Sequence, residues 1–171
     1  MEFYETVRQR YSSRKYLDKP VEEEKLQRIL EAARLAPSAG NRQEWRFIIV
    51  RDPEKRKALV PIARNQGFVG EAPIVIAACA VGTEHVMACG QYSYAIDVAI
   101  ALEHIALAAT AEGLATCWIG AFEEKPCKEL LGVPDDVRVV ELMTLGYPAD
   151  EPREKKRLAL EEIVMYDAWT K

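Results

Sequence analysis

The chain has 171 residues, 49% hydrophobic and 29% charged, which suits one folded domain with a substantial core and excludes disorder or a collagen-like repeat. Its formal net charge is −4, so no overall basic field is available to hold nucleic acid or an anionic membrane. An anionic ligand must therefore be bound by a local cluster of cations.

The first half of the chain predicts a helix, a strand and a second helix. Between Pro20 and Pro37, apolar residues recur at helical spacing after a first turn that contains three glutamates. Residues 45–50 are mostly apolar and predict a strand. Asp52 then supplies an N-cap, and Pro53 occupies the first position of a short helix.

The second half predicts three strands and two helices. Residues 74–81 are apolar on both faces, as in a strand that helices cover on each side. Residues 93–113 predict a helix with so few polar positions that it should be buried nearly all round, as a central helix that a second subunit could share. Strands are predicted at 115–120 and 137–145, with a short helix at 123–131 between them.

The chain ends in a charged segment and then an apolar one. The charged segment covers residues 150–157, and apolar side chains are frequent at 158–169. An apolar terminal stretch of this kind is expected to pack on a partner chain. Because no linker or repeat divides the sequence, we predict one domain over 1–171, with 150–171 as an extension that packs on the partner subunit.

Cysteine usage and targeting signals indicate a reduced, soluble protein. Cys79, Cys89, Cys117 and Cys127 contain no Cys-x-x-Cys pair, so metal-ligand spacing is absent and no metal site is predicted. We expect all four thiols to be reduced and chemically idle. The acidic N-terminus differs from an export signal, and apolar runs are shorter than the roughly 20 residues of a membrane span, so a cytoplasmic protein without a membrane partner is expected.

The common catalytic templates are missing from this sequence. There are two histidines, no Gly-x-Ser-x-Gly, no phosphate-binding Gly-Lys-Ser/Thr loop and no Gly-x-Gly-x-x-Gly fingerprint. His104 lies in the predicted buried helix, where a hydrogen-bonded core or interface residue is the favoured interpretation. His85 is interpreted as a solvated loop histidine. Neither histidine is assigned a catalytic role.

Two segments carry residues suited to a ligand. RYSSRKY at 10–16 combines guanidinium groups and hydroxyls, which match a phosphate and a polyol, although a solvated helix end would have a similar composition. APSAGNRQ at 36–43 directly follows a predicted helix with residues suited to irregular backbone and ligand hydrogen bonds. From composition alone this segment could equally be an ordinary connecting loop.

Four segments in a defined order resemble the FMN-dependent nitroreductases. They are RYSSRKY at 10–16, APSAGNRQEWRFIIV at 36–50, GLATCWIGAF at 113–122, and GYP followed by KKR at 155–157. Each is weak alone, whereas their order and spacing are specific. The resemblance implies an α+β fold, a three-layer α/β/α sandwich with a mainly antiparallel sheet, in an intertwined homodimer with FMN in a groove between the subunits.

The resemblance also implies contacts for the two ends of the cofactor. Arg10 and Ser12 match positions on the phosphate and ribityl chain, and Lys155 and Arg157 match cationic positions near the phosphate. Arg14 matches a basic position near the pyrimidine side of the ring, where a cation would stabilise negative charge near N1 of reduced flavin.

The remaining matched residues surround the ring. Pro37, Ser38, Ala39 and Asn41 match a loop that the family contributes from the opposite subunit, and Asn65 matches a position at the ring edge. A further stretch has backbone N–H groups that face the flavin N5, with Gly120 as the donor; it comprises Trp118, Ile119, Gly120 and Ala121. The family commonly has Gln-Pro-Trp where this chain has Gln43-Glu44-Trp45, which places a carboxylate beside the loop.

The function that this resemblance implies is electron transfer through FMN. NADH or NADPH would give hydride to flavin N5 and leave, and an electron-poor acceptor such as a quinone or nitroaromatic would then take the electrons in a ping-pong reaction. No side-chain acid or base is required, because the cofactor carries the chemistry. The same fold also hosts flavin fragmentation and reductive dehalogenation, and a redox-silent FMN-binding module stays open as another class.

Overall fold

The computed structural model describes residues 2–170 and places four strands in a single sheet. The strands are β1 (Trp45–Val50), β2 (Ile74–Ala80), β3 (Ala115–Ile119) and β4 (Arg138–Gly146). Their order across the sheet is β1-β2-β4-β3, and every neighbouring pair is antiparallel. The mainly antiparallel sheet implied by the family resemblance is therefore confirmed.

The four predicted helices are present, with ends that differ by a few residues, and three short helices that were not predicted add to them. Asp52 caps its helix as expected, because its carboxylate accepts hydrogen bonds from the backbone N–H groups of Glu54 at 2.8 Å and Lys55 at 3.2 Å. The helices are α1 (Phe3–Gln9), α2 (Glu23–Arg34), α3 (Pro53–Ile62), α4 (Phe68–Glu71), α5 (Ser93–Ala111), α6 (Glu124–Leu131) and α7 (Leu160–Ile163).

Strand β2 divides the core into two clusters because its side chains alternate between the two faces of the sheet. Ile74 and Ile76 pack on one face with α2 and α5, whereas Val75 and Ala77 pack on the other with α3, α4 and α6. Every residue of β2 is buried, as its apolar pattern predicts. The predicted three-layer α/β/α sandwich is confirmed.

Helix α5 buries only part of its surface within one chain, so burial nearly all round, which a second subunit could complete, stays a prediction. Leu102 and Ile105 are fully buried against α2 and the sheet, whereas Ile96 is 43% exposed. The physical reason is that α1, α2 and the sheet leave part of the helix surface uncovered. The helix is long and apolar enough to cross a bilayer by length and composition alone, but here it packs as a core helix.

The C-terminal segment leaves its apolar side chains exposed in a single chain. Residues 150–159 have no regular secondary structure, and α7 is a single short turn of helix. Leu158, Leu160, Ile163 and Tyr166 are each at least 60% exposed. Packing of this segment on a partner subunit therefore stays a prediction.

All four cysteines are free thiols. Cys79 and Cys127 are buried, and burial raises the pKa of Cys79 to about 11 and that of Cys127 to about 12. Cys117 is also buried, and burial raises the pKa of its thiol too, whereas Cys89 is exposed. The buried thiols are therefore neutral at physiological pH and pack as small apolar side chains, as expected from the sequence.

Gly146, the last residue of β4, lies where no side chain fits. A Cβ atom at this position would be 2.5 Å from Cδ of Pro73 and 3.0 Å from Cδ1 of Tyr16. We expect Gly146→Ala to lower the free energy of unfolding by roughly 2–3 kcal/mol through overpacking. Gly67→Ala is the control, because its nearest atom would be 4.0 Å away. Urea denaturation measures both variants, and equal stabilities would contradict the steric argument.

Candidate functional site

The N-terminal segment and the C-terminal segment meet at a cavity of about 280 Å³. Five of the predicted site residues line it together: Arg10, Ser12, Arg14, Lys155 and Arg157. The other lining residues, which the sequence analysis did not single out, are Tyr11, Asp150, Glu151, Arg153, Glu154 and Lys156. Two segments from opposite ends of the chain thus form one site.

Positive charge dominates this cavity, since six cationic side chains line it with only three carboxylates. Burial and then the neighbouring charges of Arg10 and Arg157 lower the pKa of Lys155. Arg10 has a long ion pair, with its Nε 3.9 Å from Oε1 of Glu103 on α5. The Lys155 ammonium group donates to the backbone carbonyl of Arg8. Cations crowded in this way favour a bound anion with several oxygen acceptors.

Asp150 joins the two walls of the cavity. Its carboxylate accepts hydrogen bonds from the Ser13 hydroxyl at 2.6 Å, the Arg14 backbone N–H at 2.9 Å and the Tyr11 hydroxyl at 3.2 Å. Burial alone would raise the pKa of Asp150, but these hydrogen bonds outweigh it and lower the pKa. The group is therefore ionised at neutral pH, and its stabilising contribution is lost only as pH falls through this depressed pKa.

A buried hydroxyl pair continues this connection into the core. The Tyr16 hydroxyl donates to the Ser13 carbonyl at 3.1 Å and shares a 2.6 Å hydrogen bond with Oγ1 of Thr144 on β4. The Leu17 backbone N–H donates to the Tyr147 carbonyl at 2.9 Å. The N-terminal segment is therefore held against the end of β4.

The cavity adjoins the strand that leads to Gly120. Ser12 forms an isolated parallel bridge with Thr116 of β3. Gly120 comes four residues later and follows the end of β3, so roughly 13 Å of extended chain separates the two positions. Trp118 and Ile119 belong to β3, and Ala121 follows Gly120. The predicted stretch at residues 118–121 therefore lies further along β3, away from the cations of the cavity.

A glutamate lies directly beside Gly120, and the sequence analysis did not anticipate it. A Cβ atom on Gly120 would lie 3.4 Å from Oε1 and 3.5 Å from Oε2 of Glu141. Glu141 is on β4 and pairs across the sheet with Ala78 of β2. It is half-buried, and burial raises the pKa of its carboxyl group. A carboxylate inside a largely apolar strand was the available signal.

The loop at residues 37–41 is held by a different side of α5. The Ala39 backbone N–H donates to Oδ1 of the buried Asp97 at 3.1 Å, and Gly40 and Asn41 have positive φ angles of 57° and 55°. Asp97 is six positions before Glu103, the residue that contacts Arg10, so the two side chains point roughly 120° apart around the helix. Pro37, Ser38, Ala39 and Asn41 do not line the cationic cavity of this chain.

Asn65 also lies outside the cavity, in the turn between α3 and α4. It has a positive φ of 60°, and its backbone N–H donates to the Val60 carbonyl at 2.9 Å. The side-chain amide of the next residue, Gln66, donates from Nε2 to the Ala121 carbonyl at 3.5 Å. Asn65 is thus near the segment that follows β3.

Both histidines have hydrogen-bond partners within the fold, and Glu44 is buried. His104 Nδ1 is 3.0 Å from the Ala32 carbonyl, as expected of a hydrogen-bonded helix residue. His85 lies in a loop and keeps part of its surface in solvent, and its Nδ1 is 3.0 Å from Oγ of Ser93 at the start of α5. Glu44 is buried beside Gly82. No group of three His, Cys, Asp or Glu side chains in residues 2–170 is arranged to hold a metal ion.

Comparisons with known proteins point to one family. The model of the nitroreductase family matches residues 7–91 and 62–147. A solved nitroreductase family protein from Clostridium novyi NT is 39% identical, with a TM-score of 0.82 over 91% of this chain and 89% of that one. The NADH dehydrogenase of Thermus thermophilus is 34% identical over 92% of each chain. The FMN reductase [NAD(P)H] of Bacillus subtilis is 33% identical over 89% of this chain and 68% of its own.

Proposed function

Because the chain belongs to the nitroreductase family, we propose that it is an FMN-dependent oxidoreductase that accepts electrons from NADH or NADPH and passes them to an electron-poor acceptor. The two half-reactions would use the same site in turn, with the donor leaving before the acceptor binds. The observation that carries this proposal is the cationic cavity next to β3.

The side chains of this cavity suit the phosphate end of FMN. A phosphate monoester carries nearly two negative charges at neutral pH and offers three acceptor oxygens. Arg10 and Arg157 supply guanidinium donors, Lys155 supplies an ammonium group, and Ser12 supplies a hydroxyl. Burial and then the nearby charges of Arg10 and Arg157 lower the pKa of Lys155, and a bound phosphate dianion would offset the repulsion among these cations. The donor set therefore fits the group.

The ring would lie along the strand that leads away from the cations. We assign it to the stretch of Trp118, Ile119, Gly120 and Ala121, with Arg14 near the pyrimidine side and Asn65 near an edge. Bound FMN supplies the hydride and electron chemistry, which needs no acid or base from the protein. Gly120 would present its backbone N–H to the cofactor, and Arg14 would stabilise the negative charge of the reduced state.

A second copy of the chain would complete this site. Within one chain, the loop with Pro37, Ser38, Ala39 and Asn41 lies on a different side of α5 from the contact with Arg10. Two exposed apolar surfaces are available for a partner chain. One is the exposed part of α5, and the other consists of the exposed apolar residues of the C-terminal segment. We propose an intertwined homodimer of single-domain subunits, in which this loop reaches the FMN of the other chain and residues 150–171 pack on the partner.

The acceptor class follows from the short connections around the site. The segment between β2 and α5 has 12 residues, and the segment between β3 and α6 has four. They leave little chain for an elaborated lid, so an open or partner-built substrate site is expected. We propose flat, electron-poor acceptors such as quinones and nitroaromatic compounds, which can stack on an accessible flavin.

Anaerobic stopped-flow absorbance tests the proposed reaction. The FMN-loaded protein is mixed with NADH or NADPH, and the flavin band near its visible maximum is expected to bleach and to return when a quinone is added. Product analysis accompanies the experiment, since consumption of the flavin itself would show fragmentation instead. A flavin that stays oxidised with both nicotinamides would overturn the donor assignment.

A variant of Asp150 tests whether its carboxylate affects FMN binding through the hydrogen bonds that position its neighbours or through its negative charge. We expect Asp150→Ala to weaken FMN binding roughly 10-fold, because the carboxylate no longer accepts hydrogen bonds from the Ser13 hydroxyl and the Arg14 backbone N–H, although Tyr11 keeps its 2.8 Å bond to the backbone carbonyl of residue 150. Glu151→Ala is the matched control, since it removes another cavity carboxylate and should leave binding unchanged or tighter. Quenching of FMN fluorescence measures both. Tighter binding by Asp150→Ala would show that its charge, not its hydrogen bonds, matters.

A further inference from the structure

Glu141 is the acidic group that the fold places at the Gly120 end of the sheet. Both oxygens of its carboxyl group lie within 3.5 Å of the point where a Cβ of Gly120 would be. The residue directly across the sheet is Ala78, and the next residue along β4, Leu142, is fully buried. The Glu141 carboxyl group therefore lies in van der Waals range of the Gly120 position.

This carboxyl group has no neutralising partner. Its side chain makes no hydrogen bond and no ion pair with any described residue. Burial raises the pKa of its carboxyl group. The nearest cation along its own strand, Arg138, is paired with Glu124 at 2.7 Å. A charge on Glu141 would therefore act on its surroundings with little local compensation.

We propose that Glu141 is a charge-setting residue for the redox centre, which lowers the reduction potential of bound flavin when its carboxyl group is ionised. This inference rests on the proposed function, since it takes Gly120 as the residue next to the reacting end of the ring. A negative charge opposes the arrival of electrons on a nearby ring, and the effect is strong where the surroundings are partly buried. A neutral carboxyl group exerts no such effect.

The test compares reduction potentials of the FMN-loaded wild-type protein and Glu141→Gln between pH 5 and pH 8. At pH 8 we expect the variant to show a roughly tenfold larger ratio of reduced to oxidised flavin at a fixed applied potential, which is about 30 mV for a two-electron couple. The difference should shrink towards pH 5 as Glu141 takes up a proton. Glu141→Asp keeps the charge and should behave like the wild type.

The controls separate this inference from the proposed function. Glu129→Gln removes an exposed carboxylate on α6 and should leave the potential unchanged. If Glu141→Gln and the wild type bind FMN equally and their reduction potentials agree at every pH, the role of Glu141 is overturned while the proposed function stands. If the wild-type protein binds no FMN, the proposed function falls and this inference with it.

Discussion

Replacing Arg10 and Arg157 together with alanine is expected to weaken FMN binding roughly 10²- to 10⁴-fold. Both guanidinium groups line the cavity, and a hydrogen bond to a charged group contributes about 1.5–3 kcal/mol, so the pair contributes roughly 3–6 kcal/mol. Titration of the apoprotein with FMN, followed by fluorescence quenching, measures this change directly. The free energy of unfolding should change little, because neither residue packs in the core.

A matched double variant controls for the loss of two surface cations. Arg34 and Arg51 are exposed and form ion pairs with Glu31 and Glu23. Arg34→Ala with Arg51→Ala should leave FMN binding unchanged and alter stability by roughly 0.5 kcal/mol or less. If both double variants retained FMN as the wild type does, Arg10 and Arg157 would be ordinary solvated residues.

Placing aspartates at Leu160 and Ile163 is expected to dissociate the proposed homodimer. These side chains are 64% and 60% exposed in a single chain. Burial of each on a partner contributes about 1.5–3 kcal/mol, and a symmetric interface contains two copies of both, so the dissociation constant should rise by at least roughly 10⁴-fold. Sedimentation equilibrium measures the mass. FMN retention should fall as the dimer dissociates, since the loop with Asn41 would no longer reach the other chain's cofactor.

The control for this variant lies on the same short helix. Glu161 is exposed on α7, and Glu161→Gln should change neither the mass nor FMN retention. Circular dichroism confirms that the aspartate variant stays folded. A Leu160→Asp, Ile163→Asp protein that keeps the wild-type mass and binds FMN normally would contradict the packing of residues 150–171 on a partner.

The elements of this fold could be predicted because each carries a local signal. Strand β2 is apolar on both faces, and α3 begins with Asp52 and Pro53, so periodicity and capping identify them without reference to the rest of the chain. The order of the strands could not be derived in this way, because antiparallel pairing of β2 with β4 depends on contacts between residues far apart in sequence. The family resemblance implied a mainly antiparallel sheet but not the order of its strands.

The residues of the site also divide into those that a local motif identifies and those whose partners are distant in sequence. Arg10, Ser12 and Arg157 match motifs, and the structure brings them to one cavity. Asp150 carried no such signal, because its partners Tyr11, Ser13 and Arg14 lie 136 to 139 residues away. The helix α5 was expected to be buried all round from composition, but composition does not show how many neighbours a helix has within one chain.

Size-exclusion chromatography of the protein after incubation with FMN, with absorbance and light scattering recorded together, tests whether two chains share the cofactor site. The account predicts a yellow peak with the mass of two chains and one FMN per chain. A colourless peak, or a yellow peak with the mass of one chain, would contradict a cofactor held between two copies by cations from both ends of the sequence.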